Sequence, residues 1–328
     1  MKKLFSLLSM LCMSMGMFAQ SSLLATLSHE GNITIFHGAT SLKEALAAAD
    51  HGDIITLASG RYNAVDINKA ITLRGAGMED DSISNSFTTQ IVGGFTIQIP
   101  DSIKNHHLSI EGIYNGNTIT IRGTLNNAML QKSRFYRIGY YSYINTVKSL
   151  SVIHCRITDY IQIPQNSSAT FINSYVGAPN CNQTNATMEF TNCYIEGDYD
   201  HIYRSKLTNC ILHNASYANA LSNTNMPTYC VAFIRNGGNA FANVTAMTNT
   251  VLSKADYDAM FKANTFFELT DEAKAKYVGS DGTEIGLYGG NLPYSWRILS
   301  PEITKCNVAA KTTADGKLSV DIEVKAAE

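Results

Sequence analysis

The chain of 328 residues reads as an all-β solenoid, and three features predict it. First, a six-residue signature recurs: apolar, any residue, Asn-like, small, any residue, apolar. It opens as Leu130-Gln131-Lys132-Ser133-Arg134-Phe135 and returns at 152–157, 171–176, 190–195, 207–212 and 247–252. Counted on the small residue, the steps from Ser133 to Cys155, Ser174, Cys193 and Cys210 are 22, 19, 19 and 17, and Cys230 falls midway in the gap of 40 to Thr250. Second, no long helical pattern occurs between Asp50 and Ser253, so the repeat must be closed by short strands and corners. Third, only 16% of residues are charged, and 28 Asn and 23 Gly stand against 6 Pro. The polarity therefore comes from neutral turn formers, which disfavours a coiled coil or a charged disordered chain.

A repeat of about 20 residues without a helix winds as coils whose strands pair with the coils above and below. The first, small and last positions of the signature would then form three internal files at the ~4.8 Å strand spacing. Asn belongs at the corner because it tolerates a left-handed backbone and its amide can bond the next coil. Asn173, Asn192 and Asn209 are expected to stack as such a ladder. A two-sheet sandwich would not require the same side chain at the same phase in every repeat.

Taken in order, Met1-Lys2-Lys3, an apolar stretch over 4–18 and Ala19-Gln20 have the layout of an export signal cleaved near Ala19. That stretch is too short to span a membrane comfortably and no later segment is apolar enough. The expectation is a secreted, periplasmic or cell-surface chain with no transmembrane segment after cleavage. Leu11 before Cys12, and the apolar run after it, argue against lipidation there. Cleavage removes two Lys and no acid, taking the formal charge from −2 to −4. With no Lys/Arg run beyond the first three residues, nucleic acid is excluded as an expected partner. Ser41-Leu42-Lys43-Glu44 opens an Ala-rich helix ending near Asp50, with Ser41 as N-cap and Glu44 reaching back to it. Short strands follow at 54–57 and 71–74 around the turn Ser59-Gly60-Arg61-Tyr62. Two helical turns are predicted at 254–262 and 270–276. Beyond them, the hairpin-like 314–317 before Leu318-Ser319-Val320-Asp321-Ile322 suggests a small strand module.

The repeat with Asn at its corner resembles the right-handed parallel β-helix of the pectin-lyase-like superfamily. Ser41 to Leu46, Gly52-Asp53-Ile54-Ile55-Thr56-Leu57, Gly60-Arg61-Tyr62 and Ile71-Thr72-Leu73-Arg74-Gly75 look like that superfamily's capping helix and first coils, and Asp281 to Gly290 like its closing coil. The resemblance implies a right-handed parallel β-helix with an N-terminal capping helix and a short C-terminal strand appendage. The expected organisation is a signal peptide at 1–19, a β-helix at 20–292 and the appendage at 293–328. The superfamily hosts lyases, hydrolases, esterases, binding proteins and adhesins, so fold alone does not assign an activity.

Candidate chemistry falls into three groups. Cys155, Cys193, Cys210 and Cys230 take the inward small position, where a thiol packs as a compact apolar group. With Cys181 and Cys306 they make an even count of six after cleavage, and neighbouring Cys193 and Cys210 are close enough to bridge. The densest polar cluster is Glu196, Asp198, Asp200, His201, Tyr203 and Arg204. Asp198 and Asp200 alternate on one strand face, which suits an acid/base pair or a calcium ion, with His201 and Arg204 beside them. No other cofactor is expected. The third group is an outward stripe of Arg134, Arg156, Tyr175 and Tyr194 on successive coils, joined by Arg137 and Asp159. Aromatic faces stack on sugar rings and Arg pairs with uronate carboxylates.

The Asn-Thr-Asp, Asp-Asp and Gly-His-Gly signatures of polygalacturonase-like members are absent, as is the Arg-x-Pro-x-x-Arg of pectate-lyase-like ones. His106-His107 reads as a solvent-facing pair in a turn. The leading expectation is an exported protein that binds polysaccharide or a surface glycan without catalysis. The alternatives are a polysaccharide lyase or glycoside hydrolase acting on an acidic glycan, and a structural, adhesin-like surface repeat protein.

Overall fold

The structure is a computed structural model that describes residues 23–80, 87–103, 105–140, 146–181, 185–197, 204–214, 221, 226–245, 248–298, 302–308, 311, 316–317 and 319–325. It divides into a first compact unit ending at Trp296 and a second beginning at Arg297. The export signal expected at 1–19 lies outside the described residues.

The first unit is a right-handed parallel β-helix of about eight turns. One long sheet takes strands from Ile54–Leu57 through Leu150–Ile153 to Pro227–Thr228. A second runs from Gly60–Asn63 through Arg156–Gln162 to Thr250–Val251. A third face is formed by Thr124–Asn126 paired with Thr146–Lys148. Register follows the signature. Leu130, Val152, Phe171, Phe190 and Leu207 lie opposite one another in sequence, as do Phe135, Ile157, Val176, Ile195 and Leu212. Both files are buried and point inward, with Phe171 and Phe190 stacked at 4.7 Å between ring centroids.

The corner between the two long sheets explains the rest of the signature. Lys132, His154, Asn173, Asn192, Asn209 and Tyr229 all adopt left-handed backbone, with φ from 44° to 55°. That conformation turns the chain and leaves a carbonyl two residues before the small position facing the new strand. The small side chain is just long enough to cap it. Ser133 and Ser174 hydroxyls donate to Gln131 and Ile172 carbonyls at 2.8 Å, and the Cys193 and Cys210 thiols reach Thr191 and Thr208 carbonyls at 3.3 and 3.2 Å. Cys155, Cys181, Cys193, Cys210 and Cys230 are buried and form no disulfide, and burial pushes the Cys155 thiol up to about 12. Thiols that reluctant to ionise are compact core donors.

Four expectations are corrected. The last rung is shifted by one: Thr250 pairs with Val231, so Asn249 takes the small position, its amide bonding Cys230 N and Pro227 O. Asn173, Asn192 and Asn209 stack in file, but the amides of Asn173 and Asn209 bind a later segment of chain and Asn192 Oδ1 has no hydrogen-bond partner among the described residues; an Asn–Asn bond forms at another corner, from Asn185 to Asn166 at 3.0 Å. Helix α1 (Ser41–Ala48) begins one residue early. Thr40 is its N-cap, Thr40 rather than Ser41 bonds Glu44, and the buried Ser41 hydroxyl has no partner. Finally, 281–290 is not a coil.

The N-terminal end carries a hairpin the repeat could not announce. Leu24–His29 pairs antiparallel with both Asn32–His37 and Ile54–Leu57. Helix α1 is closed at its far end by Lys69, whose ammonium donates to the carbonyls of Leu46, Ala47 and Ala49. A cation on the last carbonyls meets both their hydrogen-bond need and the helix dipole.

After Val251 the chain leaves the coils and lies back on them as a strap. Its short helices α2 (Lys254–Asp258) and α3 (Asp271–Lys276) are capped by the hydroxyls of Ser253 and Thr270, which accept from Asp256 and Ala273 amides. From Ser280 the strap follows the left-handed corner in the direction opposite to the winding. Ser280 N donates to Asn209 Oδ1 at 2.8 Å, Asn173 Nδ2 donates to Leu287 O and Gly289 O at 2.8 Å, and His154 Nε2 meets Leu292 O at 3.0 Å. Gly289 and Gly290 sit where a Cβ would collide with Glu284 O and with the Asn192 amide. The second unit is an antiparallel pair, Glu302–Val308 with Val320–Lys325. No described helix is long and apolar enough to cross a membrane.

Two stability outcomes follow. Lys69→Met should lower the unfolding free energy by about 1–2 kcal/mol by stranding three helix-end carbonyls. Tyr229→Asn should raise it by about 0.5–1 kcal/mol, because Asn occupies the left-handed region at lower cost. Urea titrations with unchanged m-value would check both.

Candidate functional site

Alternation along the second sheet sends every other residue outward, and register lines those residues up across coils. One outward file runs Arg61, Gln90, Tyr114, Arg134, Arg156, Tyr175, Tyr194, Ile211 and Val231. The sequence-predicted stripe of Arg134, Arg156, Tyr175 and Tyr194 is therefore a true stack, but its expected exposure is corrected. The strap covers it from Arg156 onward, burying Tyr194, Ile211, Val231 and Phe233 against Met260, Leu269, Ile285, Leu287 and Tyr294. The cause is hydrophobic: outward Ile211 and Val231 need covering, and a repeat that grows without thickening has no second layer of its own.

Beneath the strap the rings pack closely. Tyr194 stacks on Phe267 at 4.0 Å and on Tyr175 at 5.5 Å, and its hydroxyl lies 2.5 Å from that of Tyr257. Tyr175 donates to the Glu196 carboxylate, and burial pushes both tyrosines far above their ordinary range. Arg156 is used up internally. Its guanidinium lies 3.5 Å from the centre of the Phe266 ring, donates to Tyr294 Oη at 2.7 Å and pairs with Glu79. Tyr175, Tyr194 and Arg156 are thus the dock of the strap.

The head of the same file remains open. Arg61, Gln90 and Tyr114 line a cavity of about 430 Å³ with Ser59, Gly60, Asp80, Phe87 and Thr88. Arg61 makes no ion pair among the described residues, and the Phe87 ring is 61% exposed, so both are available to a ligand. Arg134 stands on the next rung beyond Tyr114, with its guanidinium 5.1 Å from the Tyr114 ring centre and 3.7 Å from Glu79, while its Nε has no acceptor among the described residues. Asp80 accepts from the hydroxyl and amide of Thr88 at 2.7 and 2.8 Å, which holds its carboxyl below the usual range. A carboxyl held below the usual range is a poor general acid and a good hydrogen-bond acceptor near neutral pH.

The other predicted residues are distributed as follows. Arg137 and Asp159 do meet, Arg137 Nε and Nη2 donating to one carboxylate oxygen at 2.9 and 2.6 Å, although a bulge sets Arg137 opposite Tyr160 in the register. Arg137 lies 5.6 Å from the Tyr136 and Tyr160 rings, so its charge is already partnered. Arg204 occupies another left-handed corner, at φ 55°, where it turns the chain. Asp198, Asp200 and His201 lie outside the described residues, and so does any calcium pair they would form. Among the described residues, no cluster of His, Cys, Asp and Glu is arranged to hold a metal. His213, unnoticed in the sequence, lies 3.7 Å from Glu196, and burial lowers its pKa below the ordinary histidine value.

The cavity residues themselves were missed for a physical reason. Counting back from Arg134, the file steps 20, 24 and 29 residues to Tyr114, Gln90 and Arg61, so the early coils are lengthened and their phase is lost. The first of those steps keeps the period, and Tyr114 was readable by it. No protein-family model, no curated protein and no solved structure matches this chain.

The strap carries a pH prediction. Burial lowers the His154 pKa below its ordinary 6.5, against a hydrogen bond to Leu292 O, with Lys132 also disfavouring the charge and Tyr294 edge-on at 6.1 Å. A depressed histidine keeps its stabilisation above 6.5 and loses it as pH falls toward the folded value. Hydrogen exchange of strap amides near Leu292, corrected for intrinsic rate, should accelerate from pH 7 to pH 5, and His154→Asn should flatten that response. Arg156→Ala should destabilise the unit by about 2 kcal/mol, since Glu79 and Tyr294 lose their partner in a site only partly open to water. Thermal unfolding would report it.

Proposed function

We propose that this chain is an exported, cell-surface or extracellular β-helix protein of the pectin-lyase-like kind that binds an acidic polysaccharide without catalysing its cleavage. The observation that carries the reading is the open cavity, where the Arg61 guanidinium, with no ion pair among the described residues, and the exposed Phe87 ring face one space with Gln90 and Tyr114. A guanidinium fork matches a uronate carboxylate in two hydrogen bonds, and an aromatic face stacks on the apolar face of a sugar ring. Amide and hydroxyl groups of Gln90, Ser59 and Thr88 suit sugar hydroxyls. The volume of about 430 Å³ sits toward the small end of ordinary ligand sites.

The chemistry of the lining favours binding over turnover. Glycosidic cleavage by acid/base chemistry asks for two carboxylates whose environments push their pKa values apart. Among the described residues the one carboxylate lining this cavity is Asp80, whose pKa the Thr88 hydroxyl and amide hold below the usual range. The formal charge of −2 places no general cationic field around the molecule, so attraction of an anionic glycan rests on this local pair of arginines, Arg61 and Arg134.

The deciding experiment is calorimetric titration with uronate polymers beside neutral ones, run with assays for new reducing ends and unsaturated products. The expected outcome is binding of acidic glycan with both assays silent. Arg61→Ala should weaken binding by about tenfold or more, the loss of one charge-assisted pair, whereas Arg137→Ala should leave it within about twofold. Product formation would replace this reading with a lyase or hydrolase, and absence of binding to any glycan with a structural surface role.

A further inference from the structure

Resting on the glycan reading above, we infer that the cavity receives the end of a glycan chain, or a short oligosaccharide, rather than an internal stretch of polymer. The outward file ends on both sides. Arg61 lies on Gly60–Asn63, the edge strand of the second sheet, so among the described residues no further rung precedes it. On the other side the next rung after Arg134 is Arg156, and there Phe266, Tyr294 and Glu79 stand on the guanidinium and leave its side chain 11% exposed. Between these limits run the rungs of Arg61, Gln90, Tyr114 and Arg134. At the usual spacing of strands they span roughly 14 Å, room for about three sugar rings in line.

The blocked side is built, not incidental. Glu79 reaches from the segment beside the cavity to pair with both Arg134 and Arg156, while Phe266 and Tyr294 are held in the aromatic cluster, Phe266 lying 5.6 Å from Tyr294 and from Tyr175. A chain advancing from the Arg61 side meets a carboxylate at Glu79, which repels a further uronate. Arg134 is the last cation it reaches. The two arginines are thus placed at the two ends of the short file, where the first and last sugars of a bound segment would lie.

The test is a length series. Uronate oligosaccharides of two to eight residues are titrated into the full chain, and the polymer is compared at constant mass before and after partial cleavage that multiplies its ends. Affinity should rise about tenfold between the dimer and the trimer or tetramer and change less than about twofold beyond. Polymer binding should scale with the concentration of chain ends. Phe266→Ala, which removes the ring over Arg156, should move the plateau to longer oligosaccharides. Affinity that keeps rising to the octamer, or polymer binding indifferent to the number of ends, would overturn the terminal site while leaving glycan binding intact. Absence of binding at every length would overturn both readings.

Discussion

The left-handed corner governs this molecule. One residue per coil must hold a backbone conformation that most side chains resist, and the residue after it must be short enough to enter the core while capping a carbonyl. Ser, Cys and a single Asn meet that demand at successive rungs. Because the same local solution recurs, strands on either side fall into register without long-range instruction. The inward files of Leu, Val, Phe and Ile then stack into one continuous core. The residues at φ > 0 also turn their side chains outward, which gives the strap its handholds at Asn209, Asn173 and His154.

A solenoid exposes an outer face on every coil, and this chain treats the two halves of one such face differently. Where the outward file carries Tyr194, Ile211 and Val231, the strap builds a second apolar core with Phe261, Phe266, Phe267 and Tyr288. Where it carries Arg61, Gln90 and Tyr114, the described residues lay down no such layer and a cavity remains. Arg156 marks the border. It is a cation inside an aromatic setting, tolerated because Glu79 neutralises it and Phe266 offers its ring face.

Charge is likewise managed locally. Most described cations near the strap are tied to acids: Lys262 to Glu268 at 2.6 Å, Lys276 to Asp256 at 2.7 Å and Lys274 to Glu284 at 3.1 Å. These exposed pairs contribute little stability singly, yet they leave the surface without a broad potential. Against that background a guanidinium with no ion pair among the described residues, beside an exposed ring, is a local feature with chemical meaning. The His29–Asp53 pair near the N-terminal hairpin has the opposite pH sense to His154, since Asp53 raises the His29 pKa.

The winding, the inward files, the corner residues and the stacking of Arg134, Arg156, Tyr175 and Tyr194 were all legible in the sequence, because each is a short-range pattern copied from coil to coil. Legibility failed where copying fails. The early coils are lengthened and hid Arg61 and Gln90 from the phase. The helix cap slid to Thr40, since Thr also serves as an N-cap and Ser41 beside it is taken into the first turn. The strap carries no repeat, so nothing in its residues announced that it would turn back across the second sheet. The sequence by itself determined a parallel β-helix and the order of side chains along its outer face. Only the tertiary structure decided which part of that face is covered and which is left open as a cavity, because covering is settled by apolar contact between segments far apart in the chain, and such contact leaves no period to read.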